Sequence, residues 1–231
     1  MSNKTCSSTS HSQLLSSVTF GDRNLLVKTA SSGVNPTNVL DENGDSLLHL
    51  ASKRGHLDIV RTLVEVYHCN PDLVNSNGAT PWHIACQNGH IRVLRYLLNR
   101  TSAQLELILR YSDNEGESLL HKACHSGCKV MVRFVCGIAI AGRMLKPSWY
   151  HDSARVANLH VKGSSLKFIS KTDILLTALT LSVHNHQKGV LRIFYEEFYP
   201  YFGSQLKRYG PHLLLSASKI GSTDLVTYVE A

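Results

Sequence analysis

Residues 77–98, NGATPWHIACQNGHIRVLRYLL, decide the fold. Asn77-Gly78 is a turn dipeptide, and the residues after it set up a helix start. The Thr80 hydroxyl can accept from a free backbone N–H of the first helical turn, and Pro81 suits the first helical position, where no N–H donor is needed. Trp82, Ala85 and Cys86 give this short helix an apolar face with small residues. Asn88-Gly89 tolerates the left-handed dihedrals that end a helix, and Ile91, Val93, Leu94, Leu97 and Leu98 space a second apolar stripe at helical intervals. The stretch predicts a turn, a helix, a second turn and a second helix.

The same unit recurs. His49 and His83 lie 34 residues apart, as do Gly44 and Gly78, and Gly55 and Gly89. In the earlier copy residues 41–44 (DENG) form the turn, 46–51 (SLLHLA) open the first helix, and Gly55-His56 break it. Ile59, Val60, Leu63 and Val64 then line the second helix. A later copy runs from 113–116 (DNEG) through 118–123 (SLLHKA) and Gly127 to Met131, Val132, Val135 and Cys136. His121 follows His83 by 38 residues, so about four extra residues sit in a loop around 101–106, on a surface.

Thr80-Pro81-Trp82-His83-Ile84-Ala85 matches the ankyrin signature T-P-L-H-x-A, with Trp82 in the Leu position, and the period is near the roughly 33 residues of that repeat. On these residues the chain resembles the ankyrin-repeat family, most closely over 41–136 and again over 210–230. The resemblance implies an all-α ankyrin-repeat solenoid of stacked helix-turn-helix units joined by hairpin-like loops, interrupted here by an irregular insertion. It also implies a non-enzymatic module that binds another protein through its loop tips and the concave face of its first helices.

The remainder is laid against this period. Residues 1–11 are Ser/Thr-rich and expected to be disordered. Residues 12–40 are expected to form a degenerate capping repeat, because a 34-residue shift puts Leu14 under Leu48, Ser17 under Ala51 and Gly21 under Gly55. Three repeats occupy 41–139. Between 140 and 171 Gly142, Pro147 and Gly163 break the pattern, giving an irregular basic insertion or a decayed repeat. Residues 172–231 are expected to hold two degenerate repeats, the last incomplete. In the first of them Leu175 and Ala178 are assigned to first-helix slots, which requires an insertion around 183–188. In the last, Gly210, Leu213, Leu214, Ala217, Gly221, Leu225, Val226 and Val229 answer to Gly44, Leu47, Leu48, Ala51, Gly55, Ile59, Val60 and Leu63. A chain ending at Ala231 inside a second helix points to a fragment of a longer protein or a frayed end.

Composition narrows the function classes. No apolar run approaches the roughly 18 residues of a membrane span, and the N-terminal residues lack a signal peptide's apolar core. Six cysteines show no framework spacing, so a reducing cytoplasmic setting, or a nuclear one, is expected. Phosphate-cradling G-x-x-x-x-G-K, H-E-x-x-H and G-x-S-x-G motifs are absent, and no catalytic residue or cofactor is assigned. His121, Cys124, His125 and Cys128 are residue types that bind zinc. Three of the four nevertheless repeat a slot: His121 that of His49 and His83, Cys124 that of Cys86, Cys128 that of His56 and His90. The period explains them without a metal.

Two surfaces could meet a partner. Within 143–171, Arg143, Lys146, Arg155, Lys162, Lys167 and Lys171 face only Asp152 and carry much of the formal +7. Attachment to nucleic acid or an anionic membrane is the alternative this segment offers, but scattered cations with few interleaved aromatics are ordinarily just solvated, so nucleic acid is not the expected partner. The expected protein-binding set is the tips, Asp41, Glu42, Asp45, Asn77, Asp113, Glu115 and Glu117, with the first-helix positions Lys53, Gln87, Lys122 and His125. These differ between copies while the apolar slots do not, and the acidic tips call for a partner with a basic or amide-rich contact. The aromatic run Phe194, Tyr195, Phe198, Tyr199, Tyr201, Phe202 reads as second-helix core and a loop anchor.

Overall fold

A polar side chain ties each loop tip into a knot before the first helix begins. The Asp41 carboxylate accepts from the backbone N–H of Asn43 at 2.9 Å and of Asp45 at 2.8 Å. The Asn75 amide oxygen accepts in the same way from Asn77 and Ala79, and Asp113 from Glu115 and Glu117. Short Asx side chains are favoured here because they reach their own backbone two and four residues on. The chain then enters a helix at Ser46, Thr80 or Ser118.

The computed structural model describes residues 4–101, 108–109, 111–141, 167–168 and 174–221. The chain is mostly helical and divides into two units, Met1–Ala103 and Gln104–Ala231. The first unit holds α1 (Lys4–Phe20), α2 (Arg23–Ser31), a 3-10 turn at Pro36–Asn38, α3 (Leu47–Arg54), α4 (Leu57–Glu65), α5 (Pro81–Gln87) and α6 (Ile91–Leu98). First helices α1, α3 and α5 pack side by side in one layer, and α2, α4 and α6 form the second. Leu47, Ala51, Val60, Leu63, Trp82, Ala85 and Leu94 lie between the layers, fully buried.

The second unit holds β1 (Tyr111–Ser112), α7 (Leu119–His125), α8 (Lys129–Ala141), β2 (Lys167–Phe168), α9 (Ile174–His184), α10 (Lys188–Arg192), a π-helical turn at Ile193–Glu197 and α11 (Tyr199–Ile220). Helices α7, α9 and α11 make one layer, with α8 and α10 behind them. The two strands pair antiparallel, Tyr111 opposite Phe168 and Ser112 opposite Lys167.

Within each unit, neighbouring repeats are joined at one recurring place. His56 Nε2–H donates to the Thr19 carbonyl at 3.3 Å and His90 Nε2–H to the Lys53 carbonyl at 3.0 Å; the Gln187 amide donates to the His125 carbonyl at 3.3 Å. The donor starts a second helix and the acceptor closes the first helix of the preceding repeat. Gly55 makes room for this. It sits at φ +76°, and a Cβ there would come within 2.5 Å of the His90 ring.

The structure corrects three expectations. Helix α1 begins at Lys4, so residues 4–11 are helical rather than disordered. Later in the same helix the hydroxyls bond back to it, Ser17 to the Leu14 carbonyl and Thr19 to that of Leu15. No insertion lies at 183–188 either. Gln187 N–H donates to the Ser182 carbonyl as His56 does to Ala51 and His90 to Ala85, so Ser182, not Ala178, fills the alanine slot. His186, at φ +53°, takes the left-handed position that glycine fills elsewhere. Finally, α11 runs unbroken through Gly210 and Pro211, so Gly210 is no loop tip; Gly221, at φ +74°, does end the helix as Gly55 ends α3. The assignments of Leu225, Val226 and Val229 lie outside the described residues.

Gly55→Ala and Gly116→Ala separate backbone strain from this contact. Gly116 is also left-handed, at φ +83°, but a Cβ there meets nothing within 4 Å. Gly116→Ala should lower unfolding free energy by about 1 kcal/mol in urea titrations, and Gly55→Ala by at least about twice that, because it also expels His90 from its bond. Equal losses would mean that the ring contact is not what Gly55 serves.

Candidate functional site

The surface available to a partner is best found by setting aside the polar groups that the fold itself uses. The recurring histidines belong to the fold. Ser46 N–H donates to His49 Nδ1 at 3.2 Å, His49 N–H returns to the Ser46 hydroxyl at 3.4 Å, and Nε2–H reaches the Ala79 carbonyl of the next repeat at 3.0 Å. This is a reciprocal helix cap with imidazole in the usual Glu or Gln position. Thr80 and His83 repeat the cap. His121 accepts from Ser118 N–H at 3.1 Å and donates to the Thr177 hydroxyl at 2.6 Å. Burial holds His49 and His121 below the usual histidine range. For His49 the Ala79 carbonyl and Asp45 offset part of that effect, and for His121 Glu117 and Asp113 do.

In the second unit the tip and the first helix share an ion network. Lys122 Nζ lies 2.7 Å from Asp113 and 2.5 Å from Glu117, and Glu117 also accepts from His125 Nε2 at 2.9 Å. Burial opposes the charge on Lys122, but the two carboxylates outweigh it and hold its pKa above the usual value. Burial also pushes Glu117 up, and the bonds from Lys122 and His125 more than reverse that. Asp113, Glu115 and Glu117 bring carboxylate oxygens within 4.8 Å of one another, and the Lys122 ammonium supplies the balancing cation.

The expected binding set therefore divides. Asp45, Asp113 and Lys122 are buried and committed: Asp45 accepts from the Asn75 amide at 2.6 Å, and the other two form the ion pair just described. They are withdrawn as partner contacts, because desolvated charges paired this closely hold the tip in place instead. Asp41, half-buried, spends one carboxylate oxygen on its own turn. Glu42, Lys53, Asn77, Gln87 and Glu115 are exposed, and Glu117 and His125 are half-buried. Lys53, Gln87 and His125 occupy equivalent places, each two residues after a fully buried alanine: Ala51, Ala85 and Ala123.

The histidine and cysteine set considered for zinc is spent separately. His121 and His125 bond to Thr177 and Glu117, and burial pushes the Cys124 thiol up to about 12. Phe194 is fully buried against Phe198, at a centroid distance of 6.3 Å, while Tyr199 and Tyr201 are exposed. Of the basic segment 143–171 only Lys167 and Phe168 fall within the described residues, so the attachment considered for it lies outside them. Sequence reasoning missed one cluster: Tyr96 lies between Arg61 at 5.7 Å and Arg100 at 5.4 Å, and its hydroxyl donates to Glu65 at 2.9 Å. Only the stacking of α6 beside α4 brings these together, and no motif marks it.

A family model described as ankyrin repeats, in three copies, matches residues 14–107 and 48–142. The matches together span more than half of the 231 residues, and the chain belongs to the ankyrin-repeat family. Ankyrin repeats are generally protein–protein interaction modules without chemistry of their own. No curated protein matches the chain. Among the described residues no helix is long and apolar enough to cross a membrane.

The buried imidazoles give stability a pH dependence. Unfolded, both titrate near 6.5; folded, both sit lower, so below about 6.5 the unfolded chain binds more protons. Their contribution is present above that value and is lost as pH falls. The urea midpoint should drop between about pH 7 and about pH 5, and His49→Asn combined with His121→Asn should flatten that slope while lowering stability at neutral pH. An unchanged slope in the double variant would assign the acid sensitivity to other groups.

Proposed function

We propose that the chain is a non-enzymatic protein-interaction module that needs no cofactor, and that works in the cytoplasm or nucleus. One observation carries this reading. In three successive repeats the alanine slot is invariant and fully buried, whereas two residues further on the chain changes from Lys53 to Gln87 to His125. A scaffold held constant inside and varied at one surface position is what selective recognition requires, and chemistry would need convergent groups instead. At the tips, Glu42 and Asn77 of the first unit and Glu115 of the second are exposed, and Asp41 and Glu117 are half-buried beside them. The partner is a protein presenting basic or amide groups to the tips.

Affinity capture from a cell extract with the 231-residue chain, followed by titration of the purified partner, tests the reading. Lys53→Glu with Gln87→Glu should weaken binding by about ten-fold or more while leaving the thermal midpoint within about 2 °C, since both side chains are exposed. Undiminished affinity in that variant, and in Glu42→Gln with Glu115→Gln, would remove the helix ends and tips as the recognition surface.

A further inference from the structure

The outward slots of α4 and α6 repeat in position but not in charge. Helix α4 buries Ile59, Val60 and Leu63, and α6 buries Val93, Leu94 and Leu97 in the same places. On the opposite side, at spacings of three and four residues, Asp58, Arg61 and Glu65 are exposed, and one 34-residue period later so are Arg92, Arg95 and Asn99. Where the earlier repeat alternates acid, base and acid, the later one offers two cations and an amide. Helix α6 contains no aspartate or glutamate.

Tyr96 holds part of this surface in place. It takes the slot of the buried Thr62 and lies half-buried between the two helices. Arg61 stands 5.7 Å and Arg100 5.4 Å from its ring centroid, and its hydroxyl donates to Glu65 at 2.9 Å. Glu65 also pairs with Arg100 at 3.0 Å, whereas no carboxylate among the described residues pairs with Arg61 or Arg92. An arginine ordinarily loses rotamer freedom when a partner arrests it. The Arg61 guanidinium is already set against a ring, and its planar fork matches a carboxylate.

We infer that the outer face of α4 and α6 is a second docking surface, which takes a glutamate- or aspartate-bearing segment of a partner protein. Arg61 and Arg92, on neighbouring helices whose axes lie about 8–10 Å apart, receive its carboxylates, and Arg95 adds to the local positive charge. Nucleic acid fits less well, because the exposed Asp58 and Glu65 stand beside Arg61 and repel a uniform phosphate backbone, whereas a peptide can place its acids clear of them. A lipid surface fits less well because none of the six outward slots is apolar. A second copy of the chain fits less well too, since two chains of formal charge +7 repel each other. The inference rests on the reading of the chain as an interaction module, but it uses a surface separate from Lys53 and Gln87.

Fluorescence anisotropy at low salt with the 231-residue chain tests it, using a labelled synthetic peptide with glutamate at every third position, about 10 Å apart when extended. Saturable binding is expected, and Arg61→Glu with Arg92→Glu should weaken it by about ten-fold or more. Lys207→Glu with Lys219→Glu makes the same change of net charge at exposed positions of the second unit and should leave affinity within about two-fold. The peptide in which glutamine replaces glutamate should not bind. A photo-crosslinking residue in the acidic peptide gives a readout independent of variant folding: on the unsubstituted chain its crosslinks should fall within 57–66 and 91–100. No saturable binding, equal losses in the two charge variants, crosslinks elsewhere, self-association abolished by Arg61→Glu with Arg92→Glu, or preferential binding to duplex DNA or to phosphatidylserine vesicles would each overturn the proposal. If this face fails while Lys53→Glu with Gln87→Glu still weakens the captured partner, the second surface alone is wrong and the module reading stands.

Discussion

A single neutral imidazole spanning two repeats is the contact on which the first unit turns. His49 closes the cap of its own helix through Nδ1 and reaches the next repeat's Ala79 carbonyl through Nε2. The ring is fully buried, so each bond it fails to make would leave a desolvated polar group costing about 1–3 kcal/mol, more than the roughly 1 kcal/mol a formed bond contributes net. The arrangement is consequently all or none. It fixes the distance from a first helix to the following tip, and it means that one of the ring's two polar atoms finds its partner only beside a neighbouring repeat.

A second set of contacts repeats the lesson with changed chemistry. The donor at the start of the second helix is histidine at 56 and 90 and glutamine at 187, and all three reach the carbonyl that closes the preceding first helix. What persists is an N–H at a given height above a carbonyl, not a residue type. The tips show the same economy, since Asp41, Asn75 and Asp113 offer the same oxygen to the same two backbone donors. With these demands met internally, the positions between them are free to vary, and that freedom connects the packing to recognition.

This also explains how far the sequence could be read. The helix pairs of 41–98 were legible because apolar spacing, cap residues and left-handed glycines agree with one another there. The π-helical turn and the register of α9 were not, because His186 stands where glycine was sought and Ser182 where alanine was, so the letters pointed to Leu175 and Ala178. Gly210-Pro211 reads as a turn in isolation, yet packing of Leu206, Tyr209, Leu213 and Ala217 carries the helix through, overriding a proline that removes one backbone bond and crowds the carbonyl four residues before it. Among the site residues, Asp113 and Lys122 looked like adjustable surface because charge predicts exposure; only the three-dimensional meeting of tip and helix reveals that they neutralise each other inside the fold.

If one buried imidazole couples adjacent repeats, native-state hydrogen exchange of His49→Ala beside the unsubstituted chain reads that coupling. Exchange should quicken in two places at once, at the α3 cap around 46–50 and at the next tip around 75–80, because both lose a partner. Acceleration confined to 46–50, with the tip at 75–80 exchanging as before, would contradict it.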